Sequence, residues 1–103
     1  MKRLAVHPAA AAEFEEAVLF FESRAKGLGV AFRREVECSL MRLQACPGQY
    51  PPQGRTGFRK CFVERFPYTV FFLEMDEVIW VVAIAHGKRK PGYWRGRGPQ
   101  RDR

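Results

Sequence analysis

The segment Val78-Ile79-Trp80-Val81-Val82-Ala83-Ile84-Ala85 is an unbroken apolar run. More than any other feature, it limits what this chain can fold into. A strand with no polar alternation is covered on both faces or lies centrally in its sheet. The rest of the chain must therefore supply that cover. No apolar run reaches the roughly 18 residues that would mark a membrane span, and the N-terminus, Met1-Lys2-Arg3-Leu4, lacks the apolar stretch and small-residue cleavage site of a signal peptide.

The preceding residues divide by period. Leu4-Ala5-Val6 is a short strand candidate, and Pro8 suits the first turn of a helix. His7 would hold the cap position, where it is a poor substitute for Ser or Asp. From Ala9 to about Ala25, Phe14, Ala17, Val18, Phe21 and Ala25 fall on one helical face. Glu13, Glu15 and Glu16 crowd the early turns, where the helix dipole favours negative charge. Gly27-Leu28-Gly29 breaks this pattern, and a second helix runs to about Ala45 with Phe32, Val36, Leu40 and Leu43 as its apolar stripe. Two helices joined by a short glycine turn read as an antiparallel hairpin.

Prolines and glycines make residues 46–54 a loop. Phe58 to Phe66 then reads as extended, with Cys61 and Val63 on one face and Phe62 on the other. Tyr68 to Leu73 is a further strand, and Met75-Asp76-Glu77 turns the chain into the apolar run. The expected fold is α+β: an N-terminal strand, then a helical hairpin packed on a mostly antiparallel sheet that contains a three-strand meander. At 103 residues the chain is one domain, expected over 1–95, with a basic, flexible tail at 96–103 and order fading past Trp94.

Lys and Arg total 18 against 11 Asp and Glu, a net charge of +7. Such a surface favours acidic partners, whether nucleic acid, anionic membrane or an acidic protein segment. Seven of the 18 fall after His86, at Lys88, Arg89, Lys90, Arg95, Arg97, Arg101 and Arg103. The run 88–97 is interleaved with Tyr93 and Trp94, a composition that can bind phosphates and stack on bases. The competing reading is a solvated tail. Cys38, Cys46 and Cys61 are odd in number and lack CxxC spacing. They read as reduced thiols in a cytoplasmic protein, with no disulfide framework and no metal site. No phosphate-binding or dinucleotide glycine motif occurs, so no cofactor is expected.

Several stretches, taken in order, resemble one family. They are Glu13-Phe14-Glu15-Glu16-Ala17 with Phe20-Phe21-Glu22, Gly27-Leu28-Gly29 with Phe32 and Glu35-Val36-Glu37, and Pro47 with Tyr50-Pro51. Arg59 follows, then Arg65-Phe66-Pro67-Tyr68-Thr69-Val70-Phe71-Phe72, and the ending Ile84-Ala85-His86 through Arg89, Pro91 and Tyr93-Trp94. This order over about residues 3–95 resembles the RelE/ParE superfamily of type II toxins, also labelled plasmid stabilisation proteins. The resemblance implies a small bacterial toxin held inactive in a hetero-oligomer by a cognate antitoxin, acidic and encoded nearby. One branch resembles ribosome-dependent mRNA endonucleases, which are metal-independent; the other poisons DNA gyrase. The ending His-x-x-Arg-x-Pro-x-Tyr-Trp looks more like the gyrase-poisoning, ParE side. A third possibility is a non-toxic relative that only binds antitoxin.

RNA cleavage without a metal needs a base for the 2′-hydroxyl, cations for the phosphate and an acid for the leaving oxygen. In that reading His86 or Tyr93 is the acid or base, and Arg65 with Arg89 holds the phosphate. The strand Tyr68 to Leu73 carries no charge, which speaks against it. Arg59, Lys60, Lys88, Arg89, Trp94 and Arg95 are candidates for nucleic-acid or target binding, and Leu19, Phe20 and Met41 for antitoxin binding. Each has a bland alternative. Arg65 can pair with Glu64 or Glu74, His86 can cap its strand, Tyr93 and Trp94 can clasp the tail to the sheet, and Leu19, Phe20 and Met41 can be core edge.

Overall fold

The computed structural model describes residues 1–98. Strand β1 (Arg3–Val6) leads into helix α1 (Pro8–Arg24) and helix α2 (Leu28–Ala45). A single 3₁₀ turn at Pro47–Gln49 precedes β2 (Arg59–Phe62), β3 (Tyr68–Glu74) and β4 (Val78–His86). The sheet order is β1-β4-β3-β2, with β1 parallel to β4 and the other pairs antiparallel. The expected α+β architecture is the one observed, with the apolar run as a central strand.

The junctions have identifiable causes. His7 caps α1 after all: its Nδ1 accepts the Ala9 N–H at 3.0 Å, and its ring meets Trp80 edge-on. At the hairpin, Glu22 near the end of α1 accepts the N–H groups of Gly27 and Gly29, both at 2.9 Å. These bonds satisfy donors that the start of α2 leaves open, and they hold the Glu22 carboxyl below its ordinary range. A side chain at Gly29 would bring Cβ within 2.5 Å of the Val18 carbonyl oxygen, so glycine lets the two helices close.

Phe58 to Phe66 is not one extended segment. The strand ends at Phe62, and Arg65 adopts φ 71°, a left-handed conformation that turns the chain into β3. The turn lets Val63 N–H reach the Tyr68 carbonyl at 2.9 Å.

A β-bulge divides β4. Phe72 pairs with Val81 and Phe71 with Ala83, leaving Val82 as the extra residue. Val82 and Ala83 consequently point to the same face, away from the helices, while Val81 and Ile84 point toward them. The helical face holds the larger core, with Phe32, Val36, Leu43, Val70, Phe72, Ile79 and Val81 fully buried. The opposite face packs Val82, Ala83 and Ala85 under Phe58 and Trp94. Trp94 is only 4% exposed; it stacks on Phe71 at 4.4 Å and meets Phe58 edge-on at 4.6 Å. The segment after β4 is thus an arm that covers the second face. Gly92, at φ 79°, makes the bend that brings Tyr93 and Trp94 back onto the sheet. Past Trp94, where order was expected to fade, Arg97 remains tied to α1 and β4; the rest of the expected tail, 99–103, lies outside the described residues.

Trp94→Ala is expected to destabilise the fold by about 3–5 kcal/mol, the range for emptying a buried aromatic site. Leu19→Ala, at an exposed position, should change stability by less than about 0.5 kcal/mol. Urea unfolding of both variants checks this, and a small loss at Trp94 would mean the arm is not part of the core.

Candidate functional site

The site lies where β4 outruns its neighbour. Strand β1 pairs with β4 only from Val78 to Val81, and the next backbone N–H, that of His7, bonds the Val81 carbonyl. Beyond this point the outer edge of β4 has no strand partner among the described residues. Glu13 of α1 fills the gap: its Oε1 accepts the Ile84 N–H at 3.1 Å. Its Oε2 accepts the Tyr93 hydroxyl at 2.7 Å and Arg97 Nη1 at 2.9 Å. Arg97 Nη1 also donates to the carbonyl of the bulged Val82 at 3.2 Å. Trp80 Nε1 in turn donates to the Arg97 carbonyl at 2.9 Å. One carboxylate therefore joins α1, the bulge and the arm.

Tyr93 stands between two guanidinium groups, with Arg89 at 3.9 Å and Arg97 at 4.9 Å from its ring centre. Burial, and then the hydrogen bond to the Glu13 carboxylate, push its hydroxyl up to about 12. Tyr93 is thus a neutral donor at physiological pH, with its proton committed to Glu13. Tyr68 is raised in the same direction, first by burial and then by the Glu13 charge.

Two clefts flank the end of β4. One, of about 280 Å³, lies against α1 and is lined by Glu13, Glu16, Phe20, Tyr68, His86 and Arg89 among others. The other, of about 240 Å³, lies on the second face of the sheet, and His86 and Arg89 line it too. The His86 Nδ1 accepts the Lys88 N–H at 3.0 Å, and its ring meets Tyr68 edge-on at 5.2 Å. His86 is thus at once a cap on the turn after its strand and a shared wall of both clefts.

The remaining candidates separate. Arg65 lines neither cleft; it pairs with Glu35 of α2 at 3.3 Å rather than with Glu64 or Glu74. Its turn conformation carries it to the helical side, so the expected trio of Arg65, His86 and Tyr93 does not converge. Glu64 instead faces Arg42 at 3.9 Å, and Glu74 pairs with Lys2 at 2.9 Å and with Arg59 at 3.2 Å. Arg59 also donates to the Pro47 carbonyl, so it ties the sheet edge to the loop. The hydrogen bond from Lys2 keeps the Glu74 carboxyl below its ordinary range, against a smaller opposing effect of burial. Trp94, expected as a binding residue, is core. Lys60, Lys88, Arg89, Lys90 and Arg95 make no ion pair among the described residues. Leu19, Phe20 and Met41 are 70%, 51% and 67% exposed. Among the described residues no group of three or more His, Cys, Asp or Glu is placed to hold a metal ion, and no helix is long and apolar enough to cross a membrane.

Glu13 and Arg97 were absent from the sequence-derived site. A signal for Glu13 exists: it lies three residues after buried Ala10 and four before buried Ala17, on the stripe that meets the sheet. An acid on a buried stripe needs a partner. Nothing local marks Arg97 as that partner.

A bulged central strand whose upper edge is closed by a helix carboxylate, with a basic arm folded over the second face, defines a small α+β protein with a cationic end. Residues 4–91 match the family described as "ParE toxin of type II toxin-antitoxin system, parDE", and the chain belongs to that family. It is a toxin of the type II class. The fold is shared by a chain of the solved structure "Chromosomal ParDE TA system from P. aeruginosa", with a TM-score of 0.71 at 20% identity, covering 84% of this chain and 96% of that one. No curated protein matches it in sequence.

Glu13→Ala strips the acceptor from the Ile84 N–H, the Tyr93 hydroxyl and Arg97. Hydrogen bonds to charged groups are worth about 1.5–3 kcal/mol each, so chemical denaturation should show at least that loss. Combining it with Arg97→Ala should cost less than the two single losses added together, because both remove the same contact. Strict additivity would mean the two residues act separately.

Tyr93 gives a second test. The folded state holds its proton up to about 12, against an ordinary value of 10. Its contribution to stability is complete below the unfolded value and drains away as the pH rises through the folded one. Tyr93→Phe should therefore flatten the alkaline limb of the stability profile. An unchanged limb would show that the hydroxyl is not held protonated.

Proposed function

We propose that the protein inhibits bacterial growth by poisoning DNA gyrase in the cytoplasm. In this reading the cations at the end of β4, Lys88, Arg89, Lys90 and Arg95, meet the target. Between episodes of activity an acidic antitoxin covers the exposed apolar residues Leu19, Phe20 and Met41 and holds the toxin as a hetero-oligomer.

The observation that carries this reading is the commitment of Tyr93. A nuclease centre built on Arg65, His86 and Tyr93 needs a free acid or base beside a phosphate-holding arginine. Tyr93 instead donates its hydroxyl hydrogen bond to the Glu13 carboxylate, and Arg65 is turned toward Glu35. What is left is His86 beside Arg89 at the end of β4, and a cluster of cations that make no ion pair among the described residues. Such a cluster suits binding to an acidic protein–DNA target by charge complementarity. Membership of the ParE family supports the same choice.

Pulse-labelling after induction in a host lacking antitoxin tests the proposal. DNA synthesis should fall before protein synthesis. The paired substitution Lys88→Glu with Arg89→Glu should abolish the effect while the protein stays folded, and Arg65→Ala or His86→Ala should leave it intact. An early collapse of protein synthesis that depends on His86 would overturn the gyrase reading and restore the ribosome-dependent endonuclease.

A further inference from the structure

The arm does not cover the whole second face of the sheet. Trp94 closes the part over Phe58 and Phe71, but toward β2 it leaves the groove of about 240 Å³. Phe62, Thr69 and Phe71 form its floor, and Pro91 and Trp94 line its wall. Phe62 is 64% exposed, although its neighbour Cys61 is 2% exposed on the other face. Alternation along β2 thus aims a large aromatic ring into solvent beside an apolar hollow.

The charge around this hollow has one sign. Lys60 Nζ lies 5.3 Å from the centre of the Phe62 ring, and Arg89 and Lys90 line the groove. None of the three has an ion-pair partner among the described residues. Among the described residues no carboxylate lines this groove, whereas Glu13 and Glu16 line the cleft beside α1.

From this arrangement we infer that the groove seats one apolar side chain of an acidic protein segment. A phenylalanine or leucine side chain packs against Phe62, Thr69 and Pro91, and carboxylates on either side of it pair with Lys60, Arg89 and Lys90. Charge complementarity selects an acidic occupant, and the lining selects its anchor. The stacking face of Phe71 is taken by Trp94, and the His86 Nδ1 by Lys88. A nucleobase would turn its polar edge toward a mainly apolar wall, which costs it water contacts; an apolar side chain loses none. The groove is on the sheet face opposite the helices that carry Leu19 and Met41, so it is a second surface, and the inference does not depend on gyrase being the target.

The test uses the purified full chain and a fluorescently labelled peptide with one central phenylalanine flanked by glutamates. Anisotropy should show saturable binding. Phe62→Ala and Lys60→Glu should each weaken it about thirtyfold, the scale of a binding hot spot. Both positions are exposed, so these variants keep the fold, which thermal melting verifies. Leu19→Ala and Met41→Ala should bind as the parent does, and a peptide with serine in place of the phenylalanine should bind about tenfold more weakly. Any of four results would overturn the inference. They are no binding, binding indifferent to Phe62, tighter Phe62-dependent binding of a single-stranded oligothymidylate, and Phe62-dependent self-association of the protein without peptide.

Discussion

The structure depends on how one carboxylate closes a strand. Strand β4 runs from Val78 to His86, and its parallel neighbour β1 covers it only to Val81. A buried central strand cannot leave backbone N–H and C=O groups unpaired without a cost of about 1–3 kcal/mol for each. Glu13 takes the Ile84 N–H, and Arg97 takes the Val82 carbonyl. The 2.9 Å contact between the two charges offsets part of the cost of removing each from water. Glu13 also receives the Tyr93 hydroxyl, so the edge closure and the docking of the arm share one carboxylate.

The surface proposed to meet the target depends on that closure. With Tyr93 and Arg97 fixed on Glu13, Trp94 is delivered to the second face, where Val82 and Ala83 need cover. The bulge turns two successive residues, Val82 and Ala83, toward that face. The arm's cations, Lys88 through Arg95, are thereby held outward against a rigid core rather than dispersed on a free chain. A preorganised charge cluster loses less entropy on binding than a flexible one. The same contacts that commit the Tyr93 hydroxyl to Glu13 thus place a group of exposed cations at the end of β4.

Much of the fold was legible because its signals are local. Helical spacing at Phe14, Ala17 and Phe21, and the break at Gly27 to Gly29, follow from 3.6-residue periodicity and glycine conformation. The apolar run marked a two-sided strand. Less legible was whatever depends on a partner distant in sequence. His7 caps a helix its residue type does not favour, Arg65 turns where an extended strand was expected, and only the fold decides that Trp94 is the clasp on the sheet rather than the binding residue, both of which its sequence context allows. Arg97 and Glu13 are 84 residues apart, and no pattern within a window of helical or strand length connects them.

By itself, then, the amino-acid sequence determined the element order, the two-layer α+β class, the central apolar strand, the excess of positive charge near the C-terminus and the resemblance to RelE/ParE toxins. These follow from periodicity, from backbone preference and from composition, each of which a residue and its near neighbours express. The tertiary structure alone decided that the strand is bulged at Val82, that Glu13 and Arg97 close its edge, that Tyr93 is a committed donor and that Arg65 stands apart from His86. Those outcomes depend on which polar groups become buried together, and burial is a property of the assembled layers rather than of any segment.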